Sequence, residues 1–185
     1  MKKLESTLKN MILSLLVISA AMSAALAVVY LNTKDQIELA KKMKEVNAIK
    51  AVLPEFTNDP TENRKEEGDI TIYTALSNQD TLGYAVKSTT NKAFSGTFTL
   101  MVGFLRDGSI YSIEVVDQKE TPGLGDKIKT KWKDQFKSKN PETFKLVVKK
   151  DGGQVDAITA ATISSRAFCD AVDRAYQTIK KGGNQ

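Results

Sequence analysis

From Met11 to Leu31 the chain runs "MILSLLVISAAMSAALAVVYL", 21 residues without a charge. At a rise of about 1.5 Å per residue such a run spans roughly a bilayer's hydrocarbon core, so it predicts a transmembrane helix. The rival reading is a cleaved signal peptide, since Lys2, Lys3 and Lys9 form a basic start and "AALA" offers small residues to a peptidase. The run exceeds the usual apolar core of such peptides, about 7 to 15 residues, which favours an uncleaved anchor.

Beyond it, Leu39, Met43, Val46, Ile49 and Leu53 recur at spacings of three and four, predicting a helix that stops before Pro54. Residues 54–69 are polar, hold two prolines and read as a surface loop. Four strand-like runs follow at 70–76, 82–88, 97–105 and 109–117, with "RDGS" at 106–109 as a hairpin turn, and together they predict an antiparallel meander. A polar helix is expected near 127–136 and a strand at 144–150. Last comes a long amphipathic helix: Ala167, Phe168, Ala171, Val172, Ala175, Tyr176 and Ile179 share one face, and its first turn falls near Thr162 to Ser165. The fold class is α+β. The expected division is a short N-terminal segment (1–10), a transmembrane helix (11–31), a helical stalk and loop (32–69) and a domain with an antiparallel sheet and packed helices (70–185).

Charge settles less than hydropathy. Five lysines, from Lys34 to Lys50, follow the span and outnumber the three before it. Long domains translocate largely regardless of charge, and a short basic stretch before the first apolar run is the usual export start, so the N-terminus is expected inside and residues 32–185 outside, single-pass. Of the 27 basic and 22 acidic residues, Lys2, Lys3, Lys9 and Glu5 precede the span, which leaves a nearly balanced exported portion. Its lysines are dispersed and not interleaved with aromatics, so no nucleic-acid partner is expected.

The chain has no histidine and a single cysteine, Cys169, which excludes a Ser/His/Asp triad, a Cys/His pair, a zinc cluster, an intrachain disulfide and an iron–sulfur site within it. No metal site and no catalytic side chain is expected. Cys169 reads as a small, partly buried helix residue. Any catalytic power here has to come from hydroxyls, carboxylates, amines or a cofactor.

One stretch fits that requirement. "VDAITAATISSRAF" gathers small and hydroxyl-bearing residues where the last helix begins. A helix start presents unpaired N–H groups and the positive end of its dipole, which favour a phosphate. The plainer alternative is that Thr162 or Ser164 simply caps the helix. "DAITAATISS" resembles the attachment motif of the FMN-binding domain family, Ser/Thr-Gly-Ala-Thr before a hydroxyl-rich helix start. The resemblance implies a flavin joined by a phosphoester to the last threonine, here Thr162, with Thr159, Ala160, Ala161, Ser164 and Ser165 around it. Ala160 stands where the family has glycine; if that position needs a positive φ, alanine costs about 1 kcal/mol or more there. A second stretch, "KETPGLGDK", resembles the family's other signature, and it implies that Glu120, Thr121, Pro122, Gly123, Leu124 and Gly125 line the flavin. Physically, Pro122 and Gly123 make a tight turn, and the glycines admit close backbone approach.

The resemblance extends from the anchor to the last helix and is strongest to G subunits of Rnf electron-transport complexes; C subunits of sodium-pumping NADH:quinone reductases share the domain. It implies a membrane-anchored flavoprotein subunit with covalent FMN, relaying electrons between ferredoxin and NAD in a complex coupled to sodium or proton transport at the bacterial inner membrane, with the domain on the outer face. Its implied partners are the other membrane subunits, a flavin transferase and membrane lipid. The different-class rival is a non-catalytic membrane-anchored adaptor or ligand-binding module. Arg166 offers a cation for the phosphodiester, or else an i, i+4 surface pair with Asp170. Asp117, Glu120 and Asp126 offer proton balance at a flavin, or else are solvated.

Overall fold

The computed structural model describes residues 7–62, 64–78 and 80–182; Lys2 and Lys3 of the basic start lie outside them. The chain forms two compact units, 1–43 and 44–185. In the first, α1 (Leu8–Val52) begins and carries one window apolar enough to cross a membrane. Its large side chains, Leu13, Leu15, Leu16, Ile18 and Leu26 among them, are exposed all round the helix. A helix apolar on every side has no single face to turn toward a soluble core, which is the expected pattern for a lipid-facing segment.

The second unit is built on a five-stranded antiparallel sheet in sequence order, β1 (Arg64–Glu67), β2 (Ile70–Ser77), β3 (Asp80–Ala93), β4 (Gly96–Leu105) and β5 (Ile110–Asp117). The meander expected from the alternating runs is thus present, with β3 and β4 longer than their apolar stretches. β1 falls inside the expected loop. Its four residues are all exposed, and its pairs Arg64–Glu66 and Lys65–Glu67 lie along the strand. A charged edge strand hides no apolar face, so hydrophobic alternation could not reveal it.

Two expectations are corrected. Residues 125–136 form not one helix but two 3-10 turns, Gly125–Lys129 and Lys131–Phe136. Thr130 separates them with an extended backbone, ending the first and accepting the Trp132 N–H at the start of the second. Residues 144–150 form no sheet strand. Leu146 and Val148 do point inward, but the partner is the returning chain, through the isolated bridge Val148↔Val155 and Val155 N–H to Val147 O at 3.0 Å. The alternation recorded burial correctly; burial alone does not supply a neighbouring strand.

α2 (Thr162–Gly182) lies on one face of the sheet and closes the larger core. Its predicted apolar face is buried from Ala167 to Tyr176. Phe168 is the hub of that core, with ring centroids 5.0 Å from Phe136, 5.1 Å from Trp132 and 6.4 Å from Phe98. On the other face the last two turns of α1 bury Ala48, Ile49 and Val52 against Tyr73, Ala75, Ala85 and Met101.

Candidate functional site

The start of α2 is shaped by the residues before it. Ala160 has φ +61°, the left-handed conformation that glycine would adopt without a penalty. It closes a turn in which Ala161 N–H donates to Ile158 O at 3.0 Å. Ser165 is fully buried and staples this turn to the helix: its hydroxyl donates to Ala161 O at 3.0 Å and accepts from Ile158 N–H at 2.9 Å. The helix's first backbone bond is Ser165 N–H to Ala161 O, also 3.0 Å. The N–H groups of Thr162, Ile163 and Ser164 precede it and have no carbonyl partner within the helix.

Neither candidate cap caps. The position before the helix is Ala161, which has no acceptor in its side chain, and Ser164 donates its hydroxyl to Glu120 Oε2. The half-buried Thr162 side chain has no hydrogen-bond partner among the described residues. The plain helix-capping explanation for this hydroxyl-rich stretch therefore fails on geometry.

A cleft of about 340 Å³ opens at this helix start. Ala160 to Ser164 form one wall, Glu120, Thr121, Leu124 and Gly125 a second, and Phe94 from the β3–β4 hairpin a third. Both sequence motifs thus meet in one place although some forty residues separate them. Pro122, Gly123 and Thr159 are exposed outside the lining and Ser165 lies beneath it. Phe94 and Ile163 were not foreseen. Phe94 stands at a hairpin tip that only the folded chain brings here, and Ile163 could have been placed one residue beyond Thr162.

The charged candidates divide. Asp117 is exposed, whereas Glu120 is only 5% exposed and makes specific bonds, so the solvated reading fails for Glu120. Asp126 is half-buried with Oδ1 unpaired and lies outside the cleft lining. Arg166 does not pair with Asp170. It grips Asp151 through Nε at 2.6 Å and a terminal nitrogen at 2.8 Å, while Asp170 takes Lys92 at 2.5 Å and Thr90 at 3.2 Å. The Arg166 hydrogen bonds hold the Asp151 carboxyl below its usual range. Neighbours from distant segments outcompeted the helical i, i+4 partner. Cys169 is buried and its thiol is pushed up to about 12 by burial, which makes it inert.

The residues suit a flavin mononucleotide. Three N–H groups and a hydroxyl without partners among the described residues lie at the positive end of a 21-residue helix, an arrangement that suits a phosphate. Phe94, Leu124 and Ile163 supply exposed apolar surface for a flat ring, in a cleft within the size range of ligand pockets.

The FMN-binding domain family matches residues 93–177, a span that contains every residue lining the cleft. The G subunit of an ion-translocating oxidoreductase complex from Aliivibrio fischeri is 33% identical over 192 residues, covering 95% of this chain and 91% of that one. The chain belongs to this family of G subunits. The G subunit of a Na+-translocating ferredoxin:NAD+ oxidoreductase complex from Acetobacterium woodii is 32% identical over 189 residues, covering 91% of each chain. Among solved structures, NqrC of Shewanella oneidensis overlays at a TM-score of 0.44 with 19% identity, covering 69% of this chain and 62% of that one. In this member of the family, the domain matched as FMN-binding begins at the tip of the β3–β4 hairpin and ends inside α2.

Proposed function

We propose that this chain is a membrane-anchored flavoprotein subunit of an ion-translocating oxidoreductase complex, with FMN joined through its phosphate to the hydroxyl oxygen of Thr162. The observation that carries the reading is Thr162 itself: a half-buried hydroxyl without a partner, at an uncapped helix start, facing a cleft formed by both motifs. A bound flavin would supply one- and two-electron redox chemistry. The chain's own part is to hold and orient. The N–H groups of Thr162, Ile163 and Ser164 would hold the phosphate, and Phe94, Leu124 and Ile163 would wall the ring and exclude water from it.

The relatives' names support the setting: both are subunits of ion-translocating oxidoreductase complexes, and one of these is a ferredoxin:NAD+ oxidoreductase. In that setting the chain is a relay and not an enzyme by itself. No strand in it leads into a GxGxxG turn that would seat a nicotinamide nucleotide. Its partners are the complex's other subunits, a flavin transferase for maturation and the lipid around residues 11–31. Residues 1–10 lie in the cytoplasm, and the stalk and domain, 32–69 and 70–185, on the outer face.

The test is Thr162→Ala in the full chain, co-expressed with a flavin transferase. The native chain should carry the mass of FMN after denaturation and fluoresce on a denaturing gel. The variant should lose both while its far-UV circular dichroism is unchanged, because no hydrogen bond of the fold uses this hydroxyl. Thr162→Ser should retain label. Fluorescence persisting in Thr162→Ala would overturn the attachment.

A further inference from the structure

The two motifs that line the cleft are joined by one carboxylate. Glu120 Oε1 accepts the backbone N–H of Ser95 at 2.9 Å, next to Phe94 at the hairpin tip. Glu120 Oε2 accepts the hydroxyl of Ser164 in the first turn of α2, and Glu120 N–H donates to the side chain of Gln118. One side chain therefore ties together all three walls.

Two further observations separate this from ordinary packing. Among the described residues no lysine or arginine pairs with Glu120, which is 5% exposed. A carboxylate is a costly choice for a buried staple without a counter-ion, because its desolvation costs more than that of a neutral amide of the same length. Gly125, the last residue of the Glu-Thr-Pro-Gly-Leu-Gly motif, has no positive φ to explain it. A Cβ there would overlap Glu120 Oε2 and come within 2.8 Å of Ser164 Oγ. The glycine is thus needed because the Glu120–Ser164 bond passes directly beside its Cα.

A carboxylate differs from an amide in accepting only. It obliges both Ser95 N–H and Ser164 O–H to point toward it. A serine hydroxyl left free in a first helical turn competes for neighbouring backbone groups. Held by Glu120, Ser164 leaves the N–H groups of the helix start open beside Thr162.

The geometry points to Glu120 as a positioning residue for flavin attachment: with Gly125 it locks Ser164 so that the start of α2 and the Thr162 hydroxyl are presented ready-formed to the incoming phosphate. The Thr162 oxygen bonds to the FMN phosphorus as the phosphoanhydride of the transferase's flavin dinucleotide donor breaks, and the hydroxyl proton and the displaced nucleoside monophosphate leave. This rests on the attachment at Thr162 proposed above. Glutamine at 120 fills the same space, but its Nε2 faces one donor with another or reverses the Ser164 hydroxyl.

The experiment follows the rate of FMN attachment to the full chain in detergent by intact mass, with flavin transferase and its flavin donor, alongside thermal melting of the unlabelled chain. Glu120→Gln should melt within a few degrees of the native chain yet label about tenfold more slowly, the scale of a small misplacement at a reacting group. Gly125→Ala, whose Cβ separates the pair, should slow labelling in the same way. Native labelling rates in both variants overturn the proposal. So does slowing that merely tracks the fraction unfolded, which would make Glu120 a structural pin alone. Label that survives Thr162→Ala instead overturns the attachment reading, so the two failures are distinguishable.

Discussion

The two faces of the sheet each carry a helix, and the helices meet it in opposite ways. α2 lays its length on one face and leaves its N-terminal turn open, with three N–H groups and the Thr162 hydroxyl beside the cleft. α1 reaches the other face with its last two turns, and there the helix end is closed down on the strands. Val52 and Leu53 are buried, and Gly103 of β4 lacks the Cβ that would otherwise overlap Val52 O. Beside this contact the Glu45 carboxylate accepts Tyr73 O–H at 2.6 Å and Lys87 Nζ at 2.7 Å. Burying a helix end gives attachment; exposing one leaves its N–H groups available. The proposed flavin site uses that second course.

The sharpest way to break the comparison is Gly103→Ala. Its Cβ meets backbone and not a flexible side chain, so the end of α1 must move, at a cost of about 1–3 kcal/mol. Urea unfolding of the full chain in detergent should show that loss, while FMN labelling at Thr162 under native conditions stays unchanged. Labelling that falls with it would mean that the two faces are one cooperative device.

A smaller effect is expected at Glu45. Burial raises its pKa, but hydrogen bonds from Lys87 and Tyr73 outweigh this and leave it below its ordinary value of 4.5. A carboxyl depressed in the folded state contributes stability above its unfolded value and loses it as pH falls through the folded one. Glu45→Gln should therefore lower the melting temperature at pH 7 and narrow the gap between pH 7 and strong acid. Because the site is partly solvated, the loss at pH 7 should be about 1 kcal/mol. An unchanged acid profile would show that Glu45 does not pin the helix end.

The smallest effect belongs to the open end of α2. Ala160→Gly removes a left-handed penalty of about 1–2 kcal/mol and adds back about 0.5–1 kcal/mol of chain entropy. The melting temperature should rise slightly, by the equivalent of about 0.5 kcal/mol on that difference, with labelling retained. A clear destabilisation would mean that the Ala160 methyl is needed where it lines the cleft.

Features that depend on a repeated local pattern could be read from the residues. The apolar run of residues 11–31, the meander and the start of α2 at Thr162 all rest on many consecutive positions agreeing, so single misfits do not erase them. The left-handed turn at Ala160 was visible only as a question posed by the family resemblance. Features that depend on a choice of partner were not legible. Arg166 had a plausible neighbour four residues on, yet Asp151 takes it. Residues 144–150 alternate as a strand does, yet they pair with the chain that returns through Gly152 and Gly153.

The sequence by itself determined that there is an apolar helix, an antiparallel α+β domain, no intrachain disulfide or histidine-based centre, and a hydroxyl-rich helix start. Each follows from composition or period, which the chain carries wherever it goes. Only the tertiary structure decided that Phe94 closes the cleft, that the Thr162 hydroxyl stays free while Ser164 and Ser165 are bound, and that Glu120 holds three segments at once. The reason is that a hydrogen bond between residues 44 apart, such as Glu120 to Ser164, is won by proximity in the folded chain against every nearer competitor. No local pattern records who will be close.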